Sequence, residues 1–194
     1  MSKTNAKSMN VALLGLFTAI VIVLQFMSYF IKIGTFNLSL VLIPIILAAV
    51  LYGPKYSSFL GGVFGVIVVI GCITGMDAGG NMLFSSSPIL TTLVCMVKGI
   101  AAGYVSGLLA KFIKPKNLYL SVIVAAVAAP VVNTGLFALA MLFIFRDTLT
   151  IWAGGTDILY YVIFSLIGIN FVIEFLINTI FAPVVLRIVK AIKK

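Results

Sequence analysis

The sequence predicts an all-α membrane protein with six transmembrane helices, built as one integral membrane domain over residues 1–194. Three observations lead to this fold class. Hydrophobic residues make up 63% of the chain, only 9% of residues are charged, and the mean hydropathy is +1.30. Apolar runs follow one another almost without a break, which no soluble domain of this size could keep from water. Most of the 13 basic residues lie at the ends of these runs.

Six apolar segments are candidates for the spans, because a transmembrane helix needs about 20 apolar residues. They cover residues 10–31, 38–52, 57–74, 88–112, 118–145 and 158–189. The second segment is short and contains Pro44, so we expect it to be tilted, kinked or only partly embedded. Gly53-Pro54 predicts a tight reversal between the second and third segments. The two longest connections, residues 75–87 and 146–157, are expected to be loops.

The distribution of lysine and arginine predicts that both termini are cytoplasmic. With this orientation ten basic residues lie in the inner segments, only Lys32 and Arg146 lie in the outer ones, and Lys98 lies within the membrane. An excess of basic residues is typical of cytoplasmic segments. The connections at residues 28–37, 75–87 and 146–157 would then face outward, either as a lid over an outward-facing site or as simple connectors.

Several function classes find no support in the chain. The net charge of +9 does not form a patch for nucleic acid, since the basic residues flank apolar runs. Cys72 and Cys95 lie inside apolar segments of a chain without histidine, so we expect packed free thiols and neither a metal nor another cofactor. No paired acidic motif or GxSxG elbow suggests an enzyme. A Walker A motif is also lacking, so any energy from ATP would have to come from another chain.

A few polar residues lie deep inside the apolar segments and are the candidate site. Lys98 is near the membrane midplane, roughly 15 Å below the outer end of its helix, and Asn133 and Asn170 lie at about 18 Å. Asn170, Glu174 and Asn178 follow an i, i+4, i+8 spacing on one helix face. Because lipid cannot satisfy such groups, we expect them to face the protein interior.

A second stripe of small or polar residues runs along the fourth segment and contains Thr91, Cys95, Lys98, Ala102 and Ser106. Two interpretations of the deep polar residues remain open. Lys98 and Glu174 could form a buried ion pair while the asparagines join helices. Alternatively, all of them line a water-accessible cavity that holds a polar solute, which we favour because buried pairs are poor stabilisers.

Small residues dominate the first and third segments instead. Gly15 and Ala19 form a small-xxx-small pair with Ala12 one turn before, and glycines 61, 62 and 65 lie in the third segment. Small residues allow helix backbones to approach closely in lipid. They therefore indicate either internal packing or a smooth face on which a partner protein docks.

Taken together, these features resemble a known family. The stretch FNLSLVLIPIILAAVLYGPKYSSFLGGVFG at residues 36–65 is similar to the second and third helices of the substrate-binding S component of energy-coupling factor (ECF) vitamin transporters. The number of segments, the chain length and the small-xxx-small motif agree with that family. One departure is that the family's usual Ala-xxx-Ala in helix one is Gly15-xxx-Ala19 here.

The resemblance implies a vitamin-binding membrane protein without catalysis of its own. It would capture a vitamin from outside, associate with a transmembrane coupling protein and two ATPase subunits, and topple in the membrane to release the vitamin inside. The family's pocket lies between helices four to six under outer loops. The corresponding residues here are Lys98, Asn133, Asn170 and Glu174, with Asn37, Asp77 and Asn81 as loop candidates and Ala12, Gly15 and Ala19 for docking.

The vitamin itself is only loosely indicated. A buried lysine suits a carboxylate and the asparagines suit hydroxyls and amides, so pantothenate is the first candidate. Riboflavin is the second, while folate and cobalamin remain open. A stand-alone ion-coupled carrier that uses Lys98 and Glu174 as a relay is the alternative class, although the two halves of the chain show no inverted repeat.

Overall fold

The computed structural model describes residues 3–33, 36–37 and 39–192, and nearly all of them are helical. The helices are α1 (Lys3–Ser28), α2 (Leu42–Tyr52), α3 (Pro54–Thr74), α4 (Ala78–Ser86), α5 (Pro88–Ile113), α6 (Leu118–Phe143), α7 (Arg146–Ala153), α8 (Ile158–Tyr160) and α9 (Ile169–Ile192). A π-helical segment, Tyr161–Gly168, joins α8 to α9. Two-residue strands, β1 (Lys32–Ile33) and β2 (Phe36–Asn37), pair antiparallel between α1 and α2.

The described helices confirm a helical membrane protein. Four of them, α3, α5, α6 and residues 170–192 of α9, are long and apolar enough to cross a bilayer. The pair Arg146–Ala153 and Ile158–Gly168 is bent by 91° and would count as a fifth span only if taken together. Ala12–Ser28 and α2 are shorter apolar helices. The six-span arrangement with cytoplasmic termini therefore stays a prediction.

The two connections expected to be loops are largely helical, so that prediction was wrong. Residues 75–87 contain α4, whose first turn is capped by Asp77: its carboxylate accepts a hydrogen bond from the Gly80 amide at 3.1 Å. Residues 146–157 contain α7, which ends at Ala153 and is capped by Gly154 with a φ of 56°. Such caps let polar, glycine-rich segments form short helices once they pack on a bundle.

Helices α3 and α5 pack almost backbone to backbone. A Cβ on Gly61 would collide with the Gly99 carbonyl, and one on Gly103 would collide with the Ser57 carbonyl. The Ser57 hydroxyl also donates to the Gly103 carbonyl at 2.7 Å. Glycines of the third segment therefore serve internal packing. The close contact between α3 and α5, called the seam below, fixes the relative position of two walls of the site.

The short second segment lies inside the bundle. Leu42, Ile45 and Ile46 of α2 are at most 1% exposed, because α2 packs against α3, α5, α6 and α9. Its carboxyl end is capped by Lys114, whose ammonium donates to the Val50 carbonyl. A positive charge at this end interacts favourably with the helix dipole. The predicted reversal is confirmed at Gly53, whose φ of 84° separates the end of α2 from the start of α3.

Candidate functional site

A cavity of about 100 Å³ lies between α3, α5, α6 and α9, with α1, α4 and the segment before α2 at its edge. Its walls combine aromatic and aliphatic side chains with an unusual number of polar ones. The polar lining residues are Gln25, Ser39, Asp77, Thr91, Lys98, Asn133, Thr134, Asn170 and Glu174. Mixed apolar walls with a few convergent polar groups are typical of small-molecule sites.

Lys98 extends from α5 into this cavity. It lies on the predicted small and polar stripe, of which Thr91 and Cys95 also line the cavity and Ala102 and Ser106 are fully buried. The Lys98 ammonium lies 5.1 Å from the centre of the Phe137 ring on α6, a cation–π contact. The stripe therefore faces the interior, as its composition indicated.

Glu174 approaches the cavity from α9 and has a different partner from Lys98. Its Oε1 accepts a hydrogen bond from the backbone amide of Ser39 at 2.9 Å, and the side chain is buried. This contact fastens the segment between β2 and α2 across the cavity to α9. The geometry thus gives Glu174 a role in holding this segment, and the positive charge of Lys98 also acts on its carboxylate across the cavity.

Four buried oxygen atoms on the cavity wall have no hydrogen-bond partner among the residues that the structure describes. They are Gln25 Oε1, Ser39 Oγ, Thr91 Oγ1 and Asn133 Oδ1, and each comes from a different structural element. A buried polar atom without a partner costs about 1–3 kcal/mol. Such atoms persist where water or a ligand supplies the missing hydrogen bonds. Their convergence on one cavity therefore indicates a site for a polar solute.

The predicted asparagine stripe of α9 divides at this site. Asn170 and Glu174 line the cavity, whereas Asn178 lies one turn further along α9 and outside the cavity lining. The Asn178 side-chain amide donates to the Glu174 carbonyl of its own helix at 2.7 Å. Asn133, from α6, lines the cavity together with Asn170.

The three loop candidates have different positions. Asp77 lines the cavity and also caps α4. Asn81 is absent from the cavity lining and instead donates to the Cys72 carbonyl at 2.7 Å, which links α4 to α3. The side chain of Asn37 lies outside the described residues. Sequence reasoning missed Gln25 and Ser39, and only the isolated amide of Gln25 in an apolar run could have signalled the former.

The two cysteines also belong to the cavity wall. Cys72 of α3 and Cys95 of α5 are both buried and free, and both line the cavity. This agrees with the expected packed thiols.

The candidate docking residues lie on the outside of the bundle. Ala12, Gly15 and Ala19 are all exposed, and the space next to Gly15 is open, with no heavy atom within 4 Å of the position that a Cβ would take. Their smooth face thus serves no packing within the described chain. The bundle leaves it available to lipid or to a partner.

Comparison with protein families identifies the chain's class. A family model described as "ECF transporter, substrate-specific component" matches residues 9–188. The chain therefore belongs to the ECF transporter substrate-specific component family, and the resemblance noted in the sequence is confirmed. No curated individual protein matches the chain. The protein is a substrate-binding transporter subunit of the cell membrane, and its family associates with an ECF module of a coupling protein and ATPases.

Proposed function

We propose that the cavity between α3, α5, α6 and α9 is the site at which this subunit captures a water-soluble vitamin from outside the cell. The observation that carries the proposal is the set of four buried, unpartnered oxygen atoms facing one cavity that also contains the Lys98 ammonium. A scaffold would gain nothing from leaving these atoms without partners, whereas a binding site uses them for its ligand.

The chemistry of the lining favours a ligand with one carboxylate and several hydroxyl or amide groups. Lys98 would form a charge-assisted hydrogen bond with the carboxylate. The hydroxyls of Ser39 and Thr91 and the amides of Gln25 and Asn133 would bond the neutral groups. Pantothenate carries one carboxylate, two hydroxyls and an amide, and we propose it as the vitamin.

Riboflavin is the second candidate, and the observation that favours it is the aromatic part of the lining. Phe64, Phe137, Phe145 and Phe171 border the cavity and would pack on a flavin ring. The volume of about 100 Å³ lies below the roughly 300–1,000 Å³ of drug-sized pockets, so the cavity would have to widen for either vitamin, and less for the smaller pantothenate. A stand-alone carrier with a Lys98–Glu174 relay has less support, because the direct contacts of these residues are with Phe137 and Ser39, and the two charges interact only through space.

The outward orientation rests on the basic residues and on the location of the cavity. Asp77 lines it from a connection that the charge bias assigns to the outside, and Ser39 lies two residues beyond another of these connections. We propose six transmembrane passes with both termini in the cytoplasm. The segment fastened by Glu174, together with α4, would then cover the cavity from the outer side and open to admit the vitamin.

We further propose that the exposed face of Ala12, Gly15 and Ala19 docks the coupling protein, which works with two ATPase subunits. Helix α1 connects this face to the site, since Gln25 lies six residues beyond Ala19, about 9 Å along the helix. A change at Gln25 on ligand binding would thus reach the docking face within one rigid helix. Toppling of the whole bundle after docking would present the vitamin to the cytoplasm.

The docking proposal is tested by Gly15→Leu combined with Ala19→Leu. Bulky side chains on an exposed face should abolish co-purification of the coupling protein and vitamin uptake, yet leave vitamin affinity near that of the wild type. Leu16→Ala, an exposed neighbour outside the small-residue face, is the matched control. Loss of vitamin affinity in the double variant would instead show that the face is needed for the fold.

The ligand proposal is tested by calorimetric titration of the purified protein in nanodiscs with pantothenate, riboflavin and pantothenol. Pantothenol replaces the carboxylate with a hydroxyl and should bind about ten- to a hundredfold more weakly than pantothenate. Tighter binding of riboflavin would move the assignment to the second candidate. Equal affinity for pantothenate and pantothenol would remove the carboxylate from the proposal.

A further inference from the structure

A second, separate hollow lies on the far side of the cavity wall. It is a groove of about 670 Å³ between α6 and the helix formed by α8, the π-helical segment and α9. Ala138 and Leu142 line it on the α6 side, and Val162 and Ile163 line it on the other. Every residue in its described lining is aliphatic, aromatic or glycine. The groove therefore suits an occupant without polar groups.

Local sequence and backbone geometry account for the groove. The π-helical segment is wider than an α-helix, and its last residue, Gly168, has no side chain. A Cβ on Gly168 would come within 2.5 Å of the Ile163 carbonyl oxygen, so only glycine fits here without a shift. Ala138 opposite is also small, and the space between the two helices stays open.

The groove opens onto the exposed apolar surface of the bundle. Leu159, Ile163, Phe164 and Val172 line it and are 51–60% exposed. Its described lining comes from α6, α8, the π-helical segment and α9, not from the face of α1 proposed for the coupling protein. In the proposed six-pass arrangement, on which this inference rests, the surface faces the bilayer, where the available apolar molecules are lipid acyl chains.

Two residues belong to both hollows. Ile167 and Phe171 line the polar cavity on one side and the groove on the other, so they form a single-residue wall between them. An empty groove would leave these side chains without packing partners on their outer side, and van der Waals contacts would be lost. We infer that the groove binds an acyl chain of a membrane lipid, which packs against the outer side of the wall of Ile167 and Phe171.

The test is photo-crosslinking in vesicles of phosphatidylcholine, a fraction of which carries a diazirine in the middle of one acyl chain. Crosslinked residues are identified by peptide mass spectrometry. If lipid contacts only the outer surface, labelling follows exposure, and Ile180 at 68% exposed should far exceed half-buried Leu142. A bound chain predicts that Leu142 is labelled at least as strongly as Ile180.

A filling variant gives the second measurement. Ala138→Phe places a ring in the groove and should lower labelling of Leu142 about fivefold or more, with Ile180 unchanged. Leu139→Phe, at the adjacent lipid-facing position that is 50% exposed, is the matched control and should change neither. Labelling that follows exposure in the wild type would overturn the inference. The wild-type comparison holds even if Ala138→Phe does not fold.

Discussion

Replacing Lys98 with methionine removes the positive charge from the cavity while keeping most of the side chain's volume. In the ligand-free protein the ammonium contacts the ring of Phe137, and Glu174 is bonded to the Ser39 amide. The substitution keeps this hydrogen bond, and it also removes a positive charge that acts on the buried Glu174 carboxylate. Affinity and stability are therefore measured together, with Glu174→Gln as the companion variant.

The two effects differ in size. A charge-assisted hydrogen bond to a ligand carboxylate contributes about 1.5–3 kcal/mol, which corresponds to roughly ten- to a hundredfold in affinity. The cation–π contact with Phe137 contributes about 0.5–2 kcal/mol to stability. Methionine regains about 0.3–1.5 kcal/mol through its own sulfur–aromatic contact. From these two contacts, the free energy of unfolding of the empty protein should thus change by less than about 2 kcal/mol.

Pantothenate titration and thermal unfolding of the ligand-free protein together check this prediction. Lys98→Met should bind pantothenate ten- to a hundredfold more weakly and pantothenol with nearly wild-type affinity, with a melting temperature within a few degrees of the wild type. The reverse pattern would show that Lys98 supports the fold and does not bind the ligand. In that case Lys98→Met would lower the melting temperature, Glu174→Gln in the same chain would restore it, and affinity would not move.

Three further substitutions follow from contacts in and around the cavity. Asn133→Ala should weaken vitamin binding about two- to tenfold. It should not lower the melting temperature, because Asn133 Oδ1 has no partner among the described residues of the empty protein. Titration of the control Asn178→Ala, which lies outside the cavity, should show unchanged affinity. Glu174→Ala should speed vitamin dissociation about tenfold in stopped-flow measurements by releasing the covering segment, and Glu174→Gln, which can still accept the same amide, should not. Gly103→Ala should lower the free energy of unfolding by about 1–3 kcal/mol, since a Cβ there meets the backbone of α3. Gly62→Ala makes only ordinary contacts and should be tolerated, so equal losses in both glycine variants would contradict the account of the seam.

Residues with a strong physical signal were predictable from the sequence. A charge or an amide inside an apolar helix must face the protein interior, and Lys98, Asn133, Asn170 and Glu174 all line one cavity. The reversal at Gly53-Pro54 was also predictable, because proline is favoured in the first turn of a helix and glycine accepts the positive φ of the residue before it.

The remaining features depend on tertiary packing. Helices α4 and α7 have compositions typical of loops, and they form because Asp77 supplies a cap and Leu83 and Leu149 are buried against the bundle. Ser39 is held at the cavity by tertiary contacts, among them the hydrogen bond from its backbone amide to Glu174. The π-helical segment has an ordinary apolar sequence, so periodicity could not reveal it. A sequence pattern carries no signal for contacts of this kind.

If the polar cavity binds one small solute with a carboxylate, the bound vitamin should be detectable on the intact protein. Native mass spectrometry of the purified protein after incubation with an equimolar mixture of pantothenate, riboflavin, folate and cobalamin measures this. We expect a one-to-one complex with pantothenate that is strongly reduced in Lys98→Met and retained in Asn178→Ala. Binding of no vitamin from the mixture, or equal retention of the same vitamin by Lys98→Met, would contradict it.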